Sequence, residues 1–193
     1  NYKAGGGNFG SNFIESLHLT KDKELYIGSS SGLYRYQREQ DDFVKIDEIP
    51  SVHLLTIIED QEGTLWLAAS NNGVYSYHPK TGVVGSLKHD ESNPNSLLNN
   101  YTNDLTIDSK GNLWITSENG LSKYNLKDKK FTHLSSLHNF PSNVFYKVLE
   151  DENKGIWITT AKGLIQLNPT LDKWKLYTKS NGLLNDQFNY KSG

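Results

Sequence analysis

Six histidines (His18, His53, His78, His89, His133 and His138) and a recurring Asp-x-x-Gly phrase at Asp60 to Gly63 and Asp108 to Gly111 are the first residues whose types could do chemistry. The histidines are scattered and no two stand at His-x-x-x-His, so neither a metal centre nor any cofactor is expected. An EF-hand loop needs alternating oxygen ligands and a distal bidentate Glu, which neither phrase supplies; Asp followed by Gly is the chemistry of a tight hairpin turn. Gly5-Gly6-Gly7 lacks the Lys-Ser/Thr and the helix of a phosphate loop and reads as a flexible lead-in. Glycoside hydrolysis needs two carboxylates converging about 5–10 Å apart, a convergence that a sequence does not display, and nothing in the chain singles out such a pair. No catalytic residue is therefore assigned. His53 stays a candidate because it stands at the start of an apolar run.

Binding is the chemistry that the remaining polar residues suit. His53, Asn100, Tyr101 and Asn143 stand where apolar strands begin, and Asn71, Asn72, Glu118, Asn119 and Lys162 lie in short hairpin turns. Amides and a phenol suit a sugar, which takes many moderate hydrogen bonds and one stacking face. The competing reading is that these asparagines cap turns and bond locally to backbone, as Asn commonly does.

The elements that must position these residues follow from a repeat. Leu25-Tyr26-Ile27-Gly28, Leu65-Trp66-Leu67-Ala68, Leu113-Trp114-Ile115-Thr116 and Ile156-Trp157-Ile158-Thr159 are copies of one phrase, with anchors at 26, 66, 114 and 157. The spacings of 40, 48 and 43 residues match the roughly 40–50 residues of a four-stranded propeller blade and exceed the 20–30 of a solenoid coil. Each anchor is followed by Gly32, Gly73, Gly120 or Gly163 and then a short strand, which makes a hairpin. Asp60, Asp108 and Asp151 stand six residues before the Trp anchors, with Thr20 in that place before Tyr26, and between them lie turns in which Gly63, Gly111 and Gly155 are expected to supply a positive φ. Upstream come apolar runs, Leu54–Ile58, Leu105–Ile107 and Val144–Leu149, expected to be strands buried on both faces. Phe43–Ile46, Phe131–Leu134 and Trp174–Tyr177 alternate apolar with polar, as half-solvated outer strands should. The expectation is all-β: a β-propeller of four-stranded antiparallel blades, with inner strands near 13–19, 53–59, 102–107 and 144–149. The repeats run over about 10–48, 49–89, 97–135 and 140–178, with the start of a fifth at 182–193. Tyr26, Trp66, Trp114 and Trp157, one per repeat, read as blade-packing anchors rather than sugar platforms.

Composition narrows the partners. The 193 residues carry 20 basic and 22 acidic side chains with no Lys/Arg cluster, so nucleic acid is not an expected partner. No stretch approaches about 18 apolar residues, so no membrane contact is expected of it. Cysteine is absent, which removes disulfides and thiolate sites. Methionine is absent too, and a chain opening Asn1-Tyr2-Lys3 is expected to be part of something larger or trimmed of a targeting segment.

At the repeat residues the chain resembles the two-component regulator propeller family. Ser142-Asn143-Val144 to Glu150-Asp151, Gly155-Ile156-Trp157-Ile158-Thr159-Thr160 and Gly163-Leu164 follow the family phrase, and Asn93-Pro94-Asn95-Ser96-Leu97 is another of its habits. Tyr26 and Thr20 depart from it in the first repeat, as does Ser51-Val52-His53 in the second. The resemblance implies a seven-bladed ring in the periplasmic sensor region of a Bacteroides-type hybrid two-component histidine kinase. It also implies a homodimeric parent and control of polysaccharide-utilisation genes in response to oligosaccharides. Gly182 to Asn189 is similar to a phrase late in the second, membrane-proximal propeller. Three classes of function are carried forward: a ligand-sensing propeller that is not itself an enzyme, a propeller enzyme such as a lyase or glycoside hydrolase, and a passive protein-interaction platform.

Overall fold

The protein is described by a computed structural model covering residue 10 and residues 13–189. The sixteen strands among the described residues form four antiparallel sheets, each built from four consecutive strands. The first holds β1 (Ile14–Leu19), β2 (Leu25–Ser29), β3 (Gly32–Gln37) and β4 (Asp42–Lys45). The second holds β5 (Leu54–Glu59), β6 (Leu65–Ala69), β7 (Gly73–His78) and β8 (Val83–Leu87). The third holds β9 (Thr102–Ile107), β10 (Asn112–Ser117), β11 (Gly120–Asn125) and β12 (Lys130–His133), followed by a one-turn helix α1 (Leu134–Leu137). The fourth holds β13 (Phe145–Glu150), β14 (Ile156–Thr160), β15 (Gly163–Leu167) and β16 (Trp174–Tyr177). These are propeller blades, as the repeat predicts. Gly5-Gly6-Gly7 and residues 190–193 lie outside the described residues; residues 182–189 hold no strand, and the Phe188 amide donates to the Thr160 carbonyl at 3.2 Å.

The chain divides into two compact units, Asn1–Lys88 and His89–Gly193. In the first, Tyr26 and Leu33 pack with Leu54, Ile57, Leu65 and Leu67 of the next blade. In the second, Trp114 and Leu121 pack with Phe145, Val148, Ile156 and Ile158, and Leu134 of α1 joins them. Burial is greatest in the second strand of a blade: every residue of β6 and β10 is buried. This corrects the expectation for the inner strands, where Thr56, Lys147 and Leu149 are not buried and Leu149 is 62% exposed. Along β13, Val148 is buried while Lys147 and Leu149 on either side of it are exposed, so one face of that strand is covered and the other is not.

One carboxylate organises the turn in three of the four blades. Asp108 Oδ1 accepts the Lys110 and Asn112 amides at 2.9 and 2.8 Å, and Asp108 Oδ2 accepts the Trp114 indole N–H at 2.9 Å. Asp60 does the same with Glu62, Thr64 and Trp66, and Asp151 with Asn153, Gly155 and Trp157. The indole bond, and after it the Gly155 amide, holds the Asp151 carboxyl below its usual range. The first blade lacks both partners of the bond. Thr20 Oγ1 accepts the Glu24 amide at 3.0 Å, while Tyr26 is buried, which pushes its hydroxyl up to about 12 with Tyr77 adding and Arg35 opposing.

The turn also corrects one glycine. Lys154 (φ 67°), not Gly155, takes the left-handed position, at the same distance from its aspartate as Gly63 (φ 87°) and Gly111 (φ 75°). Gly155 itself leaves room beside the carboxylate, where a Cβ would stand 2.9 Å from Asp151 as placed; Thr64 and Asn112 hold the same place in the other two turns.

A second carboxylate joins blades. Glu150 accepts the Ser109 amide and hydroxyl of the preceding blade, each at 2.8 Å, and Glu59 accepts the Lys21 amide at 2.9 Å. Ile107 holds the corresponding place in the third blade. Thr106 and Asn103 add bonds from β9 to the Val148 and Phe145 carbonyls at 2.7 and 2.8 Å.

The Asn93–Leu97 phrase caps an edge. Asn95 accepts the Phe131 amide at 2.8 Å and donates to the Lys129 carbonyl at 3.0 Å, so its amide imitates a neighbouring strand along β12. His133 lies beneath, with Nδ1 3.0 Å from Ser122 Oγ, and desolvation holds its pKa below the ordinary value against opposing bonds at Pro94 and Ser96. Because the native state binds this proton more weakly than the unfolded chain, the contribution of His133 is complete above its unfolded pKa of about 6.5. It is lost as pH falls from there through the folded value. Urea melts across that range should therefore show a decline in stability that is smaller in His133→Gln; an identical decline in the variant would contradict the assignment.

Candidate functional site

The candidate binding residues lie where each blade receives its inner strand and turns from its second strand to its third. A backbone bond ties these two places together in every blade: the amides of Ser30, Ser70, Glu118 and Ala161 donate to the carbonyls of Phe13, His53, Tyr101 and Val144, over 2.8 to 3.4 Å. The hairpin that follows depends on glycine at its start. Gly163 has φ 122°, and a Cβ there would approach the Tyr177 carbonyl to 2.6 Å, which explains the repeated Gly-Leu and Gly-Val phrases.

Within the first unit the structure brings together His53, Asn71 and Asn72. His53 Nε2 lies 3.0 Å from Glu15 Oε1 on the adjacent inner strand, a pairing of partly exposed side chains that the sequence did not reveal. Asn71 takes φ 58° at the tip of the turn, and Asn72 donates locally to the Ser70 carbonyl at 3.4 Å.

Within the second unit, Asn100 and Tyr101 stand at the start of β9 beside the Glu118-Asn119 turn, and Asn143 precedes β13 beside Lys162. Tyr101 is 50% exposed, and Glu118, Asn119, Asn143 and Lys162 are exposed as well. Asn100 behaves otherwise: its Oδ1 accepts the His89 amide at 2.9 Å and so fixes the loop that leads into the blade. The candidates thus separate. Asn72 and Asn100 have local structural bonds, whereas Tyr101, Glu118, Asn119, Asn143 and Lys162 present their side chains to solvent. The two sets belong to different compact units and are described apart.

The anchor aromatics are packing residues where the blade is covered. Tyr26 and Trp114 are each 1% exposed and Trp66 6%, whereas Trp157 is half-buried and tilted against Tyr177 at 5.4 Å between ring centres. Sequence reasoning did not find Glu15, Glu59, Asn95 or Glu150. Glu59 and Glu150 were legible as the Glu of a repeated Glu-Asp pair, but their reach to the preceding blade depends on the stacking of blades. Among the described residues no three His, Asp or Glu side chains form a metal-ligand group, and no helix is long and apolar enough to cross a membrane.

A chain of consecutive four-stranded antiparallel blades, three of them locked by an aspartate on the turn, is a β-propeller. Residues 96–119, which span β9 and β10, match the family model described as the two component regulator propeller. The resemblance read from the repeat is borne out there, in the third blade. The chain is 28% identical to a protein named Histidine kinase P4 from Formosa agariphila, across 95% of this chain and 18% of that one, so it spans under a fifth of this relative. The extracellular domains of two hybrid two component systems of B. thetaiotaomicron share its fold at TM-scores of 0.75 and 0.76. Each is 18% identical, with 86% and 92% of this chain covering 25% and 26% of theirs. A virginiamycin B lyase from Staphylococcus aureus shares it at a TM-score of 0.66 and 13% identity, with 87% of this chain covering 57% of the lyase.

Substitution should separate the two kinds of asparagine. Asn100→Ala removes the acceptor of the His89 amide and is expected to cost about 1 kcal/mol, whereas Asn143→Ala, at an exposed site, should stay within about 0.5 kcal/mol of the parent. Urea unfolding of both variants checks this, and equal losses would contradict the division.

Proposed function

We propose that this chain is part of an extracytoplasmic ligand-sensing propeller of a hybrid two-component signalling protein, located in the periplasm. On this reading it detects glycan-derived oligosaccharides and controls genes for polysaccharide use. The observation that carries the proposal is the alignment of 95% of the chain with under a fifth of a histidine kinase, in a chain folded like extracellular domains of hybrid systems. Conversion of binding into a signal requires that the ligand prefer one of two arrangements of a homodimeric parent, since equal affinity for both shifts nothing. The exposed Tyr101 phenol supplies a stacking face, and Asn119 and Asn143 supply amide donors and acceptors, which together suit sugar hydroxyls.

The enzyme reading has one local feature in its favour. The His53–Glu15 pair, at 3.0 Å, holds an imidazole beside a carboxylate, the arrangement by which a carboxylate orients a general base. Binding and turnover differ in calorimetry. Titration of the intact sensor region with plant and host oligosaccharides should give a saturating heat that is weakened about tenfold or more by Tyr101→Ala and by Asn143→Ala, in line with the loss of about 1.4 kcal/mol or more. A glycan whose affinity ignores both substitutions would remove these residues from the site. Sustained heat with product formation, abolished by His53→Ala, would replace the sensor by an enzyme.

A further inference from the structure

The entry segments of the third and fourth blades differ in how they are held to the hairpin beside them. In the fourth, Ser142 Oγ accepts the Val144 amide at 3.1 Å, and Thr160 Oγ1 donates to the Gly163 carbonyl of its own turn at 2.8 Å. Each hydroxyl serves its own loop. In the third, Asn99 stands where Ser142 does, two residues before the carbonyl that receives the hairpin amide, and its longer side chain serves both loops. Its Oδ1 accepts the Tyr101 amide at 2.8 Å, and its Nδ2 donates to Ser117 Oγ at 3.1 Å. The buried Ser117 hydroxyl in turn donates to the Gly120 carbonyl at 2.8 Å. Leu98 adds an apolar contact, because a Cβ on Gly120 would run into its side chain.

We propose, resting on the glycan-sensing reading, that Asn99 is the positioning residue of a sugar subsite in the third blade, and that the sugar it takes is neutral. Tyr101, half exposed, is the stacking face, and the exposed Glu118 and Asn119 are the hydrogen-bonding groups. A ring that stacks on a phenol while its hydroxyls reach a turn needs the two in fixed relation, and a loop ordered beforehand does not have to be ordered on binding. Asn99 holds the backbone that carries Tyr101 with one end of its amide and the turn that carries Asn119 with the other. In the second blade Ala69 stands in the place of Ser117 and has no hydroxyl to receive such a bond.

Charge sets the class of sugar. Residues 98–101 and 117–120 carry one charged side chain, the Glu118 carboxylate, which accepts bonds from hydroxyls and repels a carboxylate or sulfate group. Lys162 belongs to the hairpin of the fourth blade.

Calorimetry and hydrogen exchange on the intact sensor region test this, with cellohexaose, laminarihexaose and maltohexaose as probes and a hexamer of glucuronic acid as the charged comparison. Asn99→Ser keeps a cap for the Tyr101 amide, as Ser142 caps Val144, but loses the reach to Ser117; Ser117→Ala removes the same bond from the other side. In the sugar-free protein each variant should speed exchange of the Glu118 amide severalfold and leave the Tyr101 amide protected. Each should weaken the best-bound neutral hexasaccharide about tenfold, and the double variant by no more than either alone, because both break one link. The uronate should bind at least about tenfold more weakly than that sugar, a gap that Glu118→Gln narrows. Unchanged affinity in both single variants of a parent that binds sugar would overturn the role of Asn99 and leave the glycan-sensing reading standing. Absence of binding by every hexasaccharide would instead overturn that reading and the subsite with it. A uronate held as tightly as the neutral sugars would overturn the class of ligand.

Discussion

The hydrogen bond from a buried indole to an aspartate is the interaction on which the blades depend. A tryptophan between blades removes a large apolar surface from water, but its N–H must find an acceptor in a place that water does not reach. The aspartate supplies that acceptor with one oxygen and gathers the amides of its own turn with the other, as Asp108 does for Lys110, Asn112 and Trp114. Local turn and distant packing are thereby settled by one side chain. The first blade is the informative exception: its anchor is Tyr26, there is no indole to satisfy, and the acidic residue is replaced by Thr20, whose hydroxyl still receives the Glu24 amide. The two departures from the repeat are a single change in physical terms.

Stacking uses the neighbouring carboxylate. Glu59 and Glu150 each precede the turn aspartate and each receive a backbone amide from the blade before, so the same short phrase closes a turn with one acidic residue and fastens a neighbour with the other. The loops at the opposite end of the strands are freed from this duty. Their hairpins are joined to the strand starts by backbone bonds, which leaves Tyr101, Glu118, Asn119, Asn143 and Lys162 exposed on a fixed scaffold. Rigid framework beneath and exposed polar groups above is the arrangement in which loops commonly carry recognition.

The blade was legible in the sequence because it is written repeatedly: the spacing of Trp66, Trp114 and Trp157 and the aspartates six residues before them predict the turns and both hairpins. What escaped was whatever depends on a single copy or on contact between copies. Lys154 takes the left-handed place that Gly155 was expected to fill, because distance from Asp151, and not residue type, sets the turn. β8 was missed because it lacks alternation, and the apolar inner strands misled because a run of apolar residues does not tell which strand of a sheet is best covered. The candidate site was legible only as positions. Asn100 and Asn143 look alike in sequence, yet one fixes a loop and the other faces solvent, a difference decided by the His89 amide eleven residues earlier.

Asp108 and Trp114 act as one unit. A double-mutant cycle of Asp108→Ala and Trp114→Phe, read by urea unfolding, measures this coupling directly. The bond predicts that the double variant loses less stability than the two single variants added together, by about 1–3 kcal/mol. Losses that add to within about 0.5 kcal/mol would show that the indole and the carboxylate stabilise the blade independently.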